Sequence, residues 1–213
     1  MQKRTQIINF LIEKINAKNY LEIGLGNAKN FSQVICENKT SVDQYDENFR
    51  KNTLKWDTLD GVEPTYLMSS DDFFKQNNQK FDVCFIDGKH DQDFVKRDLE
   101  NCLNVTHNGG YVLLHDLNPK IEAHQRVPQE TPMWLGDCWK TWVRTRSDRD
   151  DLEMYVINVE TGIGVVKKGS QEKLDLSNCY LNFQSFQRNR KKWLNLISEI
   201  EFFDKEGLNN YSI

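Results

Sequence analysis

Acidic side chains cluster where short apolar runs of this chain end, with glycines or histidines beside them. Glu22 sits in Tyr20-Leu21-Glu22-Ile23-Gly24-Leu25-Gly26, and Asp43 closes Ser41-Val42-Asp43. Asp87 opens Asp87-Gly88-Lys89-His90 after Phe81–Ile86, and His115-Asp116 follows Tyr111–Leu114. Carboxylates at such places can accept hydrogen bonds from hydroxyls or face a cation. A histidine, with an unperturbed pKa near ~6.5, can take a proton near neutrality. Glycines let the backbone turn tightly and approach a ligand closely. Two acids, Asp87 and Asp116, are also the type of donor magnesium takes, alongside waters.

The elements that must position these groups follow from periodicity. Tyr20–Ile23, Ser41–Asp43, Tyr66–Met68, Phe81–Asp87 and Tyr111–Asp116 read as strands. Between them the spacing predicts helices over 30–37, with Phe31, Val34 and Ile35 inward, over 71–77, and from about Val95 to the Asn108-Gly109-Gly110 stop. Residues 44–63 read as polar and irregular, and 117–138 as loop. Met154–Val159 and Gly162–Val166 read as a hairpin joined by Glu160-Thr161. Terminal amphipathic helices are expected over 5–18 and 183–205, the latter with Ile200 on its apolar stripe. Strand and helix in alternation imply a mostly parallel sheet with right-handed crossovers, whose ligands lie at the carboxyl ends of the strands. One domain spanning 1–213 is expected.

The first turn discriminates between ligands. A dinucleotide site has a third glycine, for close helix–strand packing. Here that position is Lys29, in Gly24-Leu25-Gly26-Asn27-Ala28-Lys29, which argues against an NAD-dependent oxidoreductase. Glu22 suits a cationic ligand better than a phosphate. Asp43, at the end of the second strand, suits ribose hydroxyls. Ser70 and Asp71 fit either an adenine contact or a helix N-cap. His90 fits either a proton acceptor or a helix-start residue. Trp139 and Lys140 fit either a pocket wall with an anion-holding lysine, or a packed tryptophan beside a surface lysine.

Bulk properties narrow the class. The net charge of -4, with acids and bases mixed, argues against a nucleic-acid partner. The densest basic run, Arg188-Asn189-Arg190-Lys191-Lys192, reads as a solvated helix face. No run approaches a membrane span, and the N-terminus lacks signal-peptide features. Five cysteines without Cys-x-x-Cys spacing read as reduced thiols of a cytoplasmic protein. The Asn-x-Thr triplets at Asn38 and Asn104 are then chance matches.

Taken in order, the Tyr20–Gly26 turn, Ser70-Asp71-Asp72-Phe73-Phe74, Phe85-Ile86-Asp87-Gly88-Lys89-His90, Gly109–Asp116 and Gly162-Ile163-Gly164-Val165-Val166 resemble the class I S-adenosylmethionine-dependent methyltransferases. The Ile-Asp-Gly-x-His and His-Asp-x-Asn-Pro signatures resemble a small bacterial and phage branch linked to glycan or secondary-metabolite modification. The resemblance covers residues 18–168. It implies a Rossmann-like sheet of seven strands, mostly parallel, with an antiparallel terminal hairpin and helices on both faces. It implies that Glu22, Gly24 and Gly26 hold the cofactor's methionine part, Asp43 its ribose and Ser70-Asp71 its adenine, with Asp87 near the sulfonium. His90, His115 and Asp116 would face the acceptor, beside which Lys140, in the first of its two readings, would hold an anionic group. Asp87 and Asp116 are the candidate magnesium ligands. The implied activity is methyl transfer to an oxygen, less readily a nitrogen, of a small molecule such as a sugar or glycan precursor. A non-catalytic protein retaining the fold is the remaining rival, and its weakness is the ionisable groups at the strand tips. Association into a homo-oligomer is left open.

Overall fold

The computed structural model describes residues 1–53 and 59–207. The chain divides into two compact units, Met1–Leu114 and His115–Ile213, of which these residues are the described parts. The first unit runs α1 (Lys3–Lys14), β1 (Asn19–Ile23), α2 (Lys29–Gln33), β2 (Asn38–Asp43), α3 (Glu47–Thr53), β3 (Tyr66–Leu67), α4 (Ser70–Gln76), β4 (Phe81–Ile86), α5 (Gln92–Val105) and β5 (Thr106–Leu114). Its strands lie in the order β3-β2-β1-β4-β5, and every pairing is parallel. Parallel strands are covered on both faces, which is why β4 and the end of β5 are nearly continuous apolar runs. Ile7, Ile8 and Leu11 of α1 and Leu99 and Cys102 of α5 are among the residues buried in this unit.

The second unit begins with a loop holding a short 3-10 helix (Glu122–Gln125) and continues with α6 (Cys138–Asp148), β6 (Leu152–Ile157), β7 (Ile163–Lys168), α7 (Phe183–Leu194), β8 (Leu196–Ile197) and α8 (Glu199–Glu206). The hairpin β6–β7 is antiparallel, and β8 joins β6 in parallel. The core of this unit is aromatic. Trp139 of α6 lies 4.5 Å from Phe186 and 6.0 Å from Trp193 of α7, between ring centroids. Trp139 is fully buried, so it is a packing residue rather than a pocket wall.

Several expectations are corrected. The described residues form eight strands, not seven, because the terminal segment is not one helix over 183–205. Asn195 adopts a left-handed conformation (φ 47°) and ends α7. Leu196–Ile197 then pair with β6, and Ser198 starts α8 through a reciprocal capping bond with Glu201. Ile200 is consequently exposed. The first helix occupies Lys3–Lys14 rather than 5–18. The helix over 30–37 stops at Gln33, and Ile35 is exposed. Part of 44–63 is helical, as α3, while 54–58 lie outside the described residues. Asn108-Gly109-Gly110 does not stop a helix. It lies inside β5, where a register shift faces Asp82 and a Cβ on Gly110 would meet the Asp82 carbonyl at 2.3 Å. Strand β5 ends at Leu114, so His115 and Asp116 lie beyond it. No helix among the described residues is long and apolar enough to cross a membrane.

Gly24, at the exit of β1, combines an equally close backbone approach with a left-handed conformation. Its φ is +87°, and a Cβ there would meet the Asp87 carbonyl oxygen at 2.3 Å. Backbone atoms on both sides cannot yield cheaply. Gly24→Ala is expected to lower stability by about 3 kcal/mol or more, from combined steric and left-handed strain. Urea unfolding with an unchanged midpoint would refute this.

Candidate active site at the strand ends

Three strand ends of the first unit are tied together at the glycine turn. The Gly24 N–H donates to Val42 O at 2.9 Å, and the Asp87 N–H to Ile23 O at 2.8 Å. Asp43 closes the turn from the other side, accepting the Leu25 N–H on Oδ2 at 2.8 Å and the Tyr45 N–H on Oδ1 at 2.9 Å. Carboxylate oxygens have further lone pairs, so these bonds leave Asp43 able to accept from a ligand hydroxyl. Gly26 (φ 50°) and Ala28 (φ 64°) carry the turn into α2 in left-handed conformations. The turn is therefore bordered by an acid at the end of β2 and another just past β4.

Beneath it lies Glu22, whose side chain points into the unit. Its Oε2 accepts the Tyr20 hydroxyl at 2.5 Å and the Asn30 amide at 2.8 Å, and Asn30 Oδ1 accepts the Thr5 hydroxyl at 2.8 Å. Burial raises the Glu22 pKa from 4.5 to about 8, against the lowering effect of its two hydrogen bonds. The same burial, with the Glu22 charge, raises Tyr20 well above its ordinary value.

Asp87 is held by two basic groups. Arg4 Nη1 lies 3.3 Å from its Oδ2, and His90 Nε2 lies 3.5 Å from its Oδ1. Asp91, not His90, caps α5. Arg4 was not identified by the sequence reading. A signal existed: Arg4 stands in the first turn of α1, where the helix dipole disfavours cations, so another partner had to hold it. The pair Ser70-Asp71 is engaged by α5. Asp71 takes Arg97 Nε at 3.1 and 3.2 Å, and Ser70 bonds to Asp98, which is 3% exposed and raised by burial to about 6. Ser69, rather than Ser70 or Asp71, caps α4.

In the second unit, His115 and Asp116 form a pair. His115 Nδ1 lies 3.2 Å from Asp116 Oδ1, while Nε2 lies 3.1 Å from the Thr161 hydroxyl and 3.4 Å from Glu160 Oε2. Asp116 has φ 61°, which turns the chain back on itself just past β5. Lys140 is held by Asp137 at 3.0 Å. The structure thus brings Glu22, Gly24, Gly26, Asp43, Asp87 and His90 to one turn-and-strand-end region of the first unit, and His115 with Asp116 to the start of the second.

Residues 21–117 match a family model described as a methyltransferase domain. No curated protein matches the chain. Among solved structures, an O-methyltransferase from Bacillus cereus in complex with SAH is similar at 14% identity and TM-score 0.57, covering 79% of this chain and 82% of that one. An SAH-bound methyltransferase from Podospora anserina is similar at 13% identity and TM-score 0.56, covering 78% of each chain. An O-methyltransferase of tomaymycin synthesis from Streptomyces achromogenes, in complex with SAM, is similar at 13% identity and TM-score 0.54, covering 78% and 80%. These likenesses define the fold class: a mixed, mostly parallel, Rossmann-like α/β sheet with an antiparallel pair. The stretch matched by the family model contains the glycine turn, Asp43, Asp87, His90 and the His115-Asp116 pair.

The Glu22 environment gives a signed pH dependence. Its pKa in the folded chain, about 8, lies above the ordinary 4.5, so the folded state holds the proton more tightly. The stability it contributes is full below ~4.5 and is lost as pH rises toward 8. Asp98 acts with the same sign in a lower window, up to about 6. Glu22→Gln is expected to flatten the stability profile between about pH 6 and 8, where wild type loses on the order of 1–3 kcal/mol. Denaturant midpoints that fall equally in both proteins over that range would refute this.

Proposed function

We propose that this chain is an S-adenosylmethionine-dependent methyltransferase acting on an oxygen of a small-molecule acceptor. The observation that carries this reading is the glycine turn fixed between Asp43 and Asp87, inside the stretch matched by the methyltransferase model. The residues fit the cofactor's chemistry. Acids border the turn, as a sulfonium and an α-ammonium group require, and Asp43 keeps acceptor capacity for ribose hydroxyls. When bound, the cofactor supplies an electrophilic methyl group whose leaving group is a neutral thioether.

The side chains then have separate tasks. Gly24 and Gly26 shape the backbone against the methionine part, and Glu22 and Asp87 offset its positive charge. Ser70 and Asp71 border the adenine. His90, oriented by Asp87, accepts the acceptor's proton. His115 has both ring nitrogens engaged, which suits it to holding Asp116 more than to moving a proton. The protein's main contribution is alignment, with the base adding ~10²–10⁴-fold. We place both units in one catalytic domain. A small molecule is favoured over nucleic acid by the net charge of -4.

A magnesium ion is a second element of the reading. Ile86 pairs with Leu114, so Asp87 and the His115-Asp116 pair follow the ends of neighbouring strands. Asp87 and Asp116 would supply carboxylate oxygens to such an ion, and it would acidify the acceptor hydroxyl. Arg4 competes with it at Asp87.

S-adenosylhomocysteine is expected to bind in the micromolar range, and Asp43→Ala to weaken it by roughly 1–3 kcal/mol. Calorimetry showing heat with NADH and none with S-adenosylhomocysteine would overturn the proposal. For turnover, hydroxylated metabolites and nucleotide sugars would be screened for methyl transfer. On the acceptor found, His90→Ala is expected to bind S-adenosylhomocysteine normally and turn over about 10²-fold more slowly. A wild-type rate would remove His90 as the base. Loss of turnover in excess chelator, restored by magnesium, is the outcome expected of a metal at Asp87 and Asp116. Full turnover in chelator would remove the ion from the mechanism.

A further inference from the structure

The second unit contains a cleft of about 450 Å³ between α7 and the β8–α8 segment, lined in part by Arg188, Arg190, Lys191, Asn158 and Glu201. It is an open groove with a largely polar and charged lining rather than an enclosed cavity. Arg188, Lys191 and Lys192 are exposed, as a solvated helix face requires, and Arg188, Arg190 and Lys191 also border this cleft. Among the described residues, Arg188, Arg190, Lys191 and the nearby Lys120 form no ion pair within 4.0 Å. Glu201, the carboxylate in the lining, is engaged by the Ser198 N–H at 2.6 Å and the Ser198 hydroxyl at 2.8 Å.

Arg190 is held in place by the scaffold. Its Nη1 donates to Asn118 Oδ1 at 2.6 Å, and its guanidinium lies 4.8 Å from the centroid of the Phe186 ring. Asn118 is 1% exposed. Its N–H donates to Thr161 O at 2.8 Å, and its side-chain amide donates to Asn158 Oδ1 at 3.1 Å. Lys120 Nζ reaches the same Asn158 oxygen at 3.4 Å. Burial holds the Arg190 guanidinium below its ordinary range, and burial together with the Arg190 charge does the same for Lys120. Glu201 is the one carboxylate among the lining residues, and its bonds from Ser198, helped by the Lys191 charge, lower its pKa. The lining cations outnumber it three to one. Such an excess of positive charge is stabilised by an anion, and an arginine fixed in advance loses little freedom on binding one. Asn118 also belongs to the segment that begins with His115-Asp116, so the residue that holds Arg190 lies two positions from that pair.

We propose that this cleft binds the phosphoryl groups of the acceptor, with Arg188, Arg190 and Lys191 as their ligands, so that the substrate class is a phosphorylated or diphosphate-bearing small molecule. The proposal rests on the methyltransferase reading for the word acceptor, but the site itself does not. It replaces Lys140, which Asp137 holds, as the holder of the acceptor's anionic group.

The test uses inorganic pyrophosphate as the probe, on the full chain, by calorimetry at low salt and without cofactor. Saturable one-to-one binding is expected, weakening as salt rises. Arg188→Gln/Lys191→Gln is expected to weaken it at least about tenfold, with S-adenosylhomocysteine affinity unchanged. Arg190→Lys, which keeps the charge but loses the planar fork, is expected to weaken it also. The two variants guard against one failing to fold, which circular dichroism reports. Malonate as a second probe separates phosphoryl from carboxylate recognition, and equal or tighter malonate binding would overturn the assignment. So would the absence of pyrophosphate binding, or binding equal in wild type and both variants. Single-stranded RNA that binds more tightly with increasing length would make this a nucleic-acid surface and overturn it as well. Pyrophosphate binding without S-adenosylhomocysteine binding would fail the methyltransferase reading alone, whereas the reverse would fail the cleft alone.

Discussion

The approach of Gly24 to the backbone of Asp87 is the constraint on which the first unit's chemistry depends. A side chain at residue 24 would occupy the space of the Asp87 carbonyl. Without one, the ends of β1, β2 and β4 are joined by main-chain hydrogen bonds at a single point. The positions of Asp43 and Asp87 then follow, since each is placed by the strand it ends and by the same turn. The glycine requirement is thus met first by the protein's own backbone. A ligand finds a surface already shaped and bordered by carboxylates, so its binding need not pay for ordering the turn.

Glu22 adds a second, buried layer to that electrostatics. At neutral pH its burial favours the protonated form, so the region is less negative than its acid count suggests. Tyr20 and Asn30 satisfy the carboxyl group in either state, and Arg4 adds positive charge at Asp87. A cation brought to the turn would favour ionisation of Glu22, which strengthens the field where that charge arrives. This couples the protonation of a core residue to occupancy of the turn, without requiring contact between them.

The sequence carried the strand framework because parallel strands are apolar on both faces and end abruptly in acids. The order of the glycine turn, Asp43, Asp87 and His115-Asp116 was legible for that reason. What escaped were events decided by tertiary contact. Arg4 lies more than eighty residues from its partner Asp87, and its place in the first turn of α1 hints at a partner without saying which. Asn108-Gly109-Gly110 reads as a helix stop by composition, yet it serves a register shift against Asp82, which only the neighbouring strand reveals. The break at Asn195 was hidden because the apolar period of α7 continues into β8 and α8. An asparagine accepts the left-handed conformation at small cost, so one residue divided what periodicity joined. Lys140 and Ser70 carry the right chemistry for a ligand, but their side chains are engaged by Asp137 and Asp98.

Charge is sorted between the two units in a way that fits the proposed reaction. In the first, acids end the strands around the turn, and the basic groups nearest to them are paired with Asp87 or Asp71. In the second, Arg188, Arg190 and Lys191 of α7 line a cleft in which Glu201 is the one carboxylate. A donor that is a cation and an acceptor that is an anion require opposite environments, and one uniformly charged site would repel one of them. Two strand-end networks, one built on Asp43 and Asp87 and the other on Asn118 and Arg190, meet both requirements with side chains fixed by the fold. The His115-Asp116 pair begins the segment that Asn118 continues, so fixing Asn118 also limits where that pair can move. Under these two proposals, the second unit's cations hold the acceptor's charge and the first unit's acids offset the donor's. A mutation in one set should therefore change affinity for one substrate while leaving the other's intact.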